Sequence, residues 1–241
     1  LLVEIARQES VLFEIATYLT NNTYVGSLTV ETVQETDRSH VEVTLTTFEN
    51  LSSDAKAGLS TEKTMLDRLL VEIERLETVA IEVALFKTDN AMVLTLTVES
   101  VDINHKTIVE SALAAYDILS VDVKSGLSNE KTLLDNLLLE IERQEAVIAE
   151  ITFYMLDNEL ILALTVDTVQ VKDRSDVEVA LAAYHNLSID AKARLNTEIA
   201  LLDRLLVEIS RIEAIASEIA LYKTNNAYSL ALTTETVQVS D

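Results

Sequence analysis

A long amphipathic stretch recurs at a fixed spacing along this chain. Residues 61–87 return as residues 129–155 and again as residues 197–223, each copy starting 68 residues after the one before it. The second half of the same stretch opens the chain, as residues 1–19. Self-similarity at a fixed period is the sequence signature of repeat architectures, in which each unit buries its apolar face against its neighbours.

The register of the repeat holds without gaps. Several residues recur in all four copies, and in the second copy they are Leu69, Leu70, Glu72, Ile73, Arg75, Glu77, Glu82, Asn90, Leu96, Thr97 and Val101. We therefore divide the chain into repeats 1–68, 69–136 and 137–204 and a partial repeat 205–241. The chain begins and ends within a repeat, which favours a fragment of a longer array.

Composition favours helices throughout. The chain has no Pro and only three Gly, so the usual residues of hairpins and tight turns are missing. It also has no Cys, which excludes disulfides and thiolate metal sites. Together with the apolar content of 49%, this predicts an all-α fold with packed cores.

The recurring stretch is predicted to form one long helix. Ser60 is expected to be its N-cap, with Glu62 in the first turn. The apolar residues predicted to form one buried face are spaced by three and four positions: Leu66, Leu69, Ile73, Leu76, Ala80 and Val83. Met65, Leu70 and Val79 widen that face.

The rest of each unit is a segmented return path. Thr88, Asp89 and Asn90 predict a break or kink, followed by a short helix over residues 91–96, although a continuous helix to Leu96 is the alternative. The β-branched residues 97–103 predict an extended linker with its Val side chains turned inward. A helix over residues 106–118, capped by Asn104 or a neighbour, and a short helix over residues 121–126 complete the unit.

Two arrangements satisfy this pattern. Small three-helix bundles can follow one another end to end and share each long helix, or helical hairpins can stack sideways into an α-solenoid. The wide apolar face of the long helix favours the first. Two recurring aromatic series are expected to fill one gap in each unit: Tyr18, Phe86, Tyr154 and Tyr222, and Phe48, Tyr116 and Tyr184.

The strong negative charge argues against two classes of partner. The net charge of −23 argues against nucleic acid and against an anionic membrane surface, because both require an excess of Lys and Arg. The uncharged stretches are too short to span a bilayer.

Candidate chemistry is sparse. His40, His105 and His185 occupy three different positions of the repeat, and none has a second His or Cys at ligand spacing, so we predict no metal site. The acidic run of Glu72, Glu74, Glu77 and Glu82 is interpreted as a solvated face with (i, i+3) pairs to Arg75. Weak binding of divalent cations by acidic faces is a remaining hypothesis. We nominate no catalytic and no cofactor-binding residue.

Two Asn-x-Ser sequences are potential glycosylation acceptors. Asn50 and Asn186 occupy equivalent positions, but Asp117 stands there in the middle copy. A role at the end of a helix is the favoured interpretation.

Residues 171–209 resemble the small three-helix repeat modules of large extracellular and cell-surface proteins of bacteria. The resemblance rests on Asp173-Arg174, on the string from Ala180 to Ser188, on Ala191-Lys192 through Leu195, and on the Leu-rich helix from Leu201 onward. The pattern returns at residues 104–141 and, with Thr for Ala, at residues 36–73. This chain departs from it by lacking Pro and by its acidity. The resemblance implies a stalk, adhesin or surface-layer role.

From the sequence we expect a structural, non-enzymatic repeat segment. It would form a stalk, fibre, sheath or surface layer by stacking of repeats and self-association, with an extracellular or cell-surface location. The alternative is a protein-binding α-helical scaffold or adhesin that grips another protein. Five or more exposed apolar positions facing the same way would favour that alternative.

Overall fold

The computed structural model describes residues 1–231 and consists of helices joined by short turns. This part of the chain contains fourteen α-helices and three short 3-10 helices, and no β-strand occurs within it. The all-α prediction is therefore confirmed. Residues 232–241, the end of the predicted partial repeat 205–241, lie outside the described residues.

Three helices of 30 residues dominate the fold: α5 (Ser60–Asp89), α9 (Ser128–Asp157) and α13 (Asn196–Asn225). The first long helix is α1 (Leu2–Asn21). The shorter helices are α2 (Thr23–Gly26), α3 (Arg38–Glu49), α4 (Ser53–Gly58), α6 (Ala91–Leu94), α7 (Lys106–Asp117), α8 (Val121–Ser125), α10 (Glu159–Leu162), α11 (Arg174–Asn186), α12 (Ile189–Arg194) and α14 (Ala227–Ala231). The 3-10 helices are Glu35–Asp37, Ile103–His105 and Val171–Asp173.

The prediction that Ser60 caps α5 is wrong. Ser60 is the first helical residue, and Leu59 precedes it as the N-cap without a side-chain bond. The reason is that α4 runs almost directly into α5. Leu59 donates its backbone N–H to the carbonyl of Lys56 and accepts from the N–H of Lys63, and its side chain is buried.

The predicted break after the long helix is confirmed. The side-chain amide of Asn90 donates to the carbonyl of Phe86 at 2.8 Å, which satisfies one of the open carbonyls at the end of α5. Asn22, Asn158 and Asn226 make the same bond at the ends of α1, α9 and α13. The short helix that follows ends at Leu94, two residues earlier than expected.

The predicted extended linker at residues 97–103 is wrong. The chain turns there, because the carbonyl of Thr97 accepts from the backbone N–H groups of Ser100 and Val101. The hydroxyl of Ser100 also accepts from the N–H of Thr97 at 2.9 Å. Such local bonds compete with an extended backbone. Val101 is buried as expected, but Val98 is 42% exposed.

The described residues fall into two compact units. The first contains Leu1–Val101 and His105–Leu138, and the second contains residues 102–104 and the described residues from Leu139 onward. In the first unit, α5 packs against α3 and α8. Its N-terminal half forms a core with the segment from α2 to α3, built from Val25, Leu28, Val33, Val41, Leu66, Leu69 and Ile73. Its C-terminal half meets α7 and α8.

The buried face of α5 turns along the helix. Leu66, Leu69 and Ile73 are buried in the first half, whereas Phe86 is buried and Val83 half-buried in the second. At about 100° per residue, these two groups point in directions roughly 100° apart around the axis.

This turn corrects the prediction of a single buried face. Ala80 is exposed, because it lies at the edge of the sector that α5 buries in its second half.

The second unit has the same kind of core, where α11 packs against α13. Its buried residues are Val169, Val177, Ala180, Leu202, Leu205 and Ile209. Full burial of a Leu or Ile side chain contributes about 1.5–3 kcal/mol. These residues are therefore the main source of stability in this unit.

Most residues of the two aromatic series pack inward. Tyr18, Phe48, Phe86 and Tyr154 are buried, Tyr116 and Tyr184 are half-buried, and Tyr222 is 61% exposed. The interpretation that these rings fill the core is therefore confirmed for the buried and half-buried residues and is wrong for Tyr222.

We predict that two leucines of α9, two positions apart, differ sharply in their contribution to stability. Leu137 is fully buried and Leu139 is 66% exposed. Leu137→Ala should lower the free energy of unfolding by about 2–5 kcal/mol, because it leaves a cavity in the core. Leu139→Ala should change it by less than about 0.5 kcal/mol. Urea unfolding followed by circular dichroism measures both, and equal losses would contradict the placement of the core.

Candidate functional site

The histidines are placed separately. His40 is exposed on α3 with its ring centroid 5.2 Å from that of Tyr24. His185 is exposed on α11 beside Tyr184, and His105 is half-buried. No group of three His, Cys, Asp or Glu side chains suited to a metal ion occurs in residues 1–231.

Two of the four glutamates of the acidic run on α5 pair with arginines and are half-buried, whereas Glu74 and Glu82 are exposed, as the solvated-face interpretation expects. Glu72 accepts from Arg75 at 2.5 Å, which confirms the predicted (i, i+3) pair. Arg75 also reaches Asp122, the second residue of α8, at 2.5 Å. Glu77 accepts two bonds from Arg38 of α3, at 2.6 and 2.7 Å. Arg75 therefore joins the long helix to α8, and Glu77 joins it to α3.

The Arg75 contact has counterparts on two other long helices. Arg7 of α1 pairs with Glu4 and with Asp54 of α4. Within the second unit, Arg143 of α9 pairs with Glu140 and with Asp190 of α12. These arginines and the aspartates they reach are exposed by about a half. Pairs of this kind contribute little to stability, so their main effect is to set the register of the short helix on the long one.

A second contact fastens two of these short helices, α4 and α12, at their N-termini. Ser188 is the N-cap of α12, and its hydroxyl accepts from the N–H of Ala191. That hydroxyl donates to Glu150 of α9 at 2.5 Å, and the N–H of Ser188 donates to the same carboxylate at 2.7 Å. These bonds hold the pKa of Glu150 below its ordinary value. Ser52 and Glu14 make the same contact in the first unit.

Each of α1, α5 and α9 also contributes one ring to an aromatic pair. The ring centroids are 6.2 Å apart for Tyr18 and Phe48, 6.2 Å for Phe86 and Tyr116, and 6.3 Å for Tyr154 and Tyr184, all edge-to-face. Offset and edge-to-face pairs add about 0.5–1.5 kcal/mol beyond the area they bury. The hydroxyl of Tyr154 is buried without a hydrogen-bond partner in the described part of the chain.

Sequence reasoning missed the partners of these arginines and glutamates. Asp54, Asp122 and Asp190 recur at the 68-residue spacing, as do Ser52, Ser120 and Ser188. That recurrence was the available signal, but it does not say which charged residue meets which. Asn50 and Asn186 are exposed at the ends of α3 and α11, as the helix-end interpretation expects.

The feature best suited to an external contact is an exposed apolar stripe on α9. We call it the outer stripe and define it by Leu139, Ala146, Ala149, Phe153 and Leu156, which step by seven, three, four and three positions along one helical face. All five are exposed, with Leu139, Phe153 and Leu156 at 64–66%. Glu142, three positions after Leu139, lies on the same helical face but is charged. Scattered exposed apolar residues are ordinary, but a row of them along one helical face, here interrupted by Glu142, favours an interaction surface.

Some of the equivalent positions on the other long helices are also exposed and apolar, and the rest are mostly Thr or Ser. Val71, Ile81 and Leu85 lie on α5, with exposures of 55–67%. Val3 and Phe13 lie on α1, and Val207 and Leu221 on α13, again mostly open to solvent. On α5 these residues point about 130° away from each of the two buried sectors, so the residues packed on α5 leave this face uncovered.

Among the described residues, no helix combines the length and the apolar character needed to cross a lipid bilayer. No protein-family model, no characterised protein and no solved structure matches this chain.

We predict a pH-dependent contribution from the Glu140–Arg143 pair. Hydrogen bonds from Arg143, and then from Gln144, lower the pKa of Glu140 to about 2. An unfolded Glu has a pKa of about 4.3. A depressed native pKa stabilises the fold above that value, and the contribution is lost as pH falls toward about 2.

Glu140→Gln should therefore be less stable than the parent at pH 7, and the difference should shrink as pH falls from about 4.3 through about 2. Urea unfolding at several pH values tests this. Glu142→Gln is the matched control, because Glu142 is exposed on the same helix and accepts no hydrogen bond from residues 1–231. A pH-independent difference for Glu140→Gln would contradict the assignment.

Proposed function

We propose that this chain is a segment of a tandem array of 68-residue helical repeats with a structural role. It would serve as a stalk, fibre, sheath or surface layer of a large extracellular or cell-surface microbial protein. The observation that carries the proposal is the recurrence of one contact set, 68 residues apart: the edge-to-face rings, the arginine that reaches an aspartate on the next short helix, and the asparagine at the end of each long helix. Equal contacts at equal spacing support stacking of equal units.

The packing of α5 favours the end-to-end array over the α-solenoid. This helix meets α3 with its first half and α8 with its second, and its buried face turns between the two. A helix shared by two successive bundles needs such a turn. The predicted boundaries at residues 68, 136 and 204 would then fall within the shared helices.

A mechanical role also fits the contacts that the recurring charged residues make. Glu72, Arg75 and Glu77 recur in all four copies, and in the second copy they bind α3 and α8 or each other. This supports a non-enzymatic function. The extracellular or cell-surface location rests on the resemblance of residues 171–209 to bacterial surface-protein repeats.

We further propose that the outer stripe mediates self-association. A second copy of the chain offers the same row of exposed apolar side chains at the same spacing, so two copies can bury their stripes against each other. The net charge of −23 opposes this contact. Association should therefore strengthen as salt shortens the Debye length, from about 30 Å at 0.01 M to about 10 Å at 0.1 M.

We predict that sedimentation velocity shows concentration-dependent oligomers that increase between these two salt concentrations. Phe153→Asp should shift the distribution to monomer, because it places a charge in the middle of the outer stripe. Ile189→Asp is the matched control and should leave association unchanged, since Ile189 is 85% exposed but lies on α12. Addition of a chelator tests whether the acidic faces bind divalent cations during assembly. Loss of oligomers would support bridging by these cations, and unchanged oligomers would exclude such bridging from assembly.

The second candidate function is a protein-binding scaffold or adhesin. The outer stripe supports it too, because its five exposed apolar positions face the same way. A chain that stays monomeric under all these conditions, with Phe153→Asp indistinguishable from the parent, would contradict self-association and favour the scaffold.

A further inference from the structure

The repeats differ in the residue that faces the glutamate in the first turn of a long helix. In the second repeat, Lys87 at the end of α5 holds Glu130 of α9, with 2.8 Å between Nζ and Oε1. The equivalent pairs, each 43 residues apart, replace the lysine by an apolar residue and keep the glutamate: Leu19 with Glu62, and Met155 with Glu198. In the described part of the chain, no cation pairs with Glu62 or Glu198.

A cleft of about 400 Å³ lies at the first of these places, within the first unit. Glu62 lines it together with Tyr18, Leu19 and Met65, and Asn22 and Thr44 contribute further polar side chains. Clefts of this size, mostly apolar with a few polar groups, suit small organic ligands. The cleft therefore combines apolar walls with a carboxylate that forms no ion pair within residues 1–231.

Two polar side chains of the cleft already have partners for their donors. The amide of Asn22 donates to the carbonyl of Tyr18 at 2.7 Å, and the hydroxyl of Thr44 donates to the amide oxygen of Asn22 at 3.0 Å. The carboxylate of Glu62 can only accept. A group with three donors and no acceptor, such as an ammonium, complements this arrangement.

We propose that this cleft binds a small aliphatic primary amine. Its ammonium would pair with Glu62, as the ammonium of Lys87 pairs with Glu130, and its carbon chain would pack against Leu19 and Met65. The net charge of −23 raises the local concentration of such a cation at low salt. This site is independent of the self-association proposed above.

The test is a titration of the whole chain with n-pentylammonium at low ionic strength. The chain has three methionines, so ¹³C labelling of their methyl groups gives three signals, which single Met→Leu substitutions assign. Met65 lines the cleft, and Met92 is 66% exposed on α6 and serves as the internal control. The Met65 signal should shift saturably and the Met92 signal should not.

Three comparisons separate an ion pair from apolar binding alone. Pentan-1-ol, which has the same chain without the charge, should bind at least about threefold more weakly. Glu62→Gln should weaken n-pentylammonium by at least about threefold, and Glu130→Gln, its matched control in the next repeat, should leave the Met65 response unchanged. Leu19→Lys should abolish the response, because its own ammonium reaches Glu62.

Far-UV circular dichroism verifies that each variant is folded, as expected for substitutions of partly exposed side chains. A Met65 signal that does not saturate, equal binding of the alcohol, or an unaltered response in Glu62→Gln would each overturn the proposal.

Discussion

The length of the long helices imposes the main constraint on this fold. A helix of 30 residues is about 45 Å long, whereas the 12-residue α3 is about 18 Å long. One short helix therefore cannot cover the apolar face of α5. The chain covers it in two halves, with the segment from α2 to α3 on one and with α7 and α8 on the other. The turn of the buried face by roughly 100° follows, because the two sets of short helices approach from different sides.

The contacts that fix these short helices divide into two kinds. Buried residues such as Leu69, Ile73 and Phe86 supply most of the free energy. Half-exposed pairs, such as Arg75 with Asp122, supply little energy but determine where along the long helix a short one sits. Surface residues can therefore differ between the proposed repeats while these two kinds of contact are kept. Leu19 and Met155 stand at the positions equivalent to Lys87, and within the described residues Glu62 and Glu198 therefore have no ion-pair partner.

The sequence predicted the helices and the first half of the buried face, because apolar spacing reports directly on a helix that packs on one side. Three features escaped it for physical reasons. Ser60 has the composition of an N-cap, but the nearly continuous path from α4 moves that position to Leu59. Residues 97–103 have strand composition, but the hydroxyls of Thr97 and Ser100 close a turn. Ala80 fits the apolar spacing but is exposed, because the short helices that pack on α5 change near this residue. The outer stripe was also missed, since exposure depends on which faces the short helices leave uncovered.

The central claim, that equal units follow one another by an equal step, is best tested by distances between spin labels. The chain has no Cys, so single cysteines can be introduced and labelled without background. Val71, Leu139 and Val207 are equivalent and 66–72% exposed. Double electron–electron resonance on the pairs 71 with 139 and 139 with 207 should give mean distances that agree within the widths of their distributions. Clearly unequal distances would contradict a regular array.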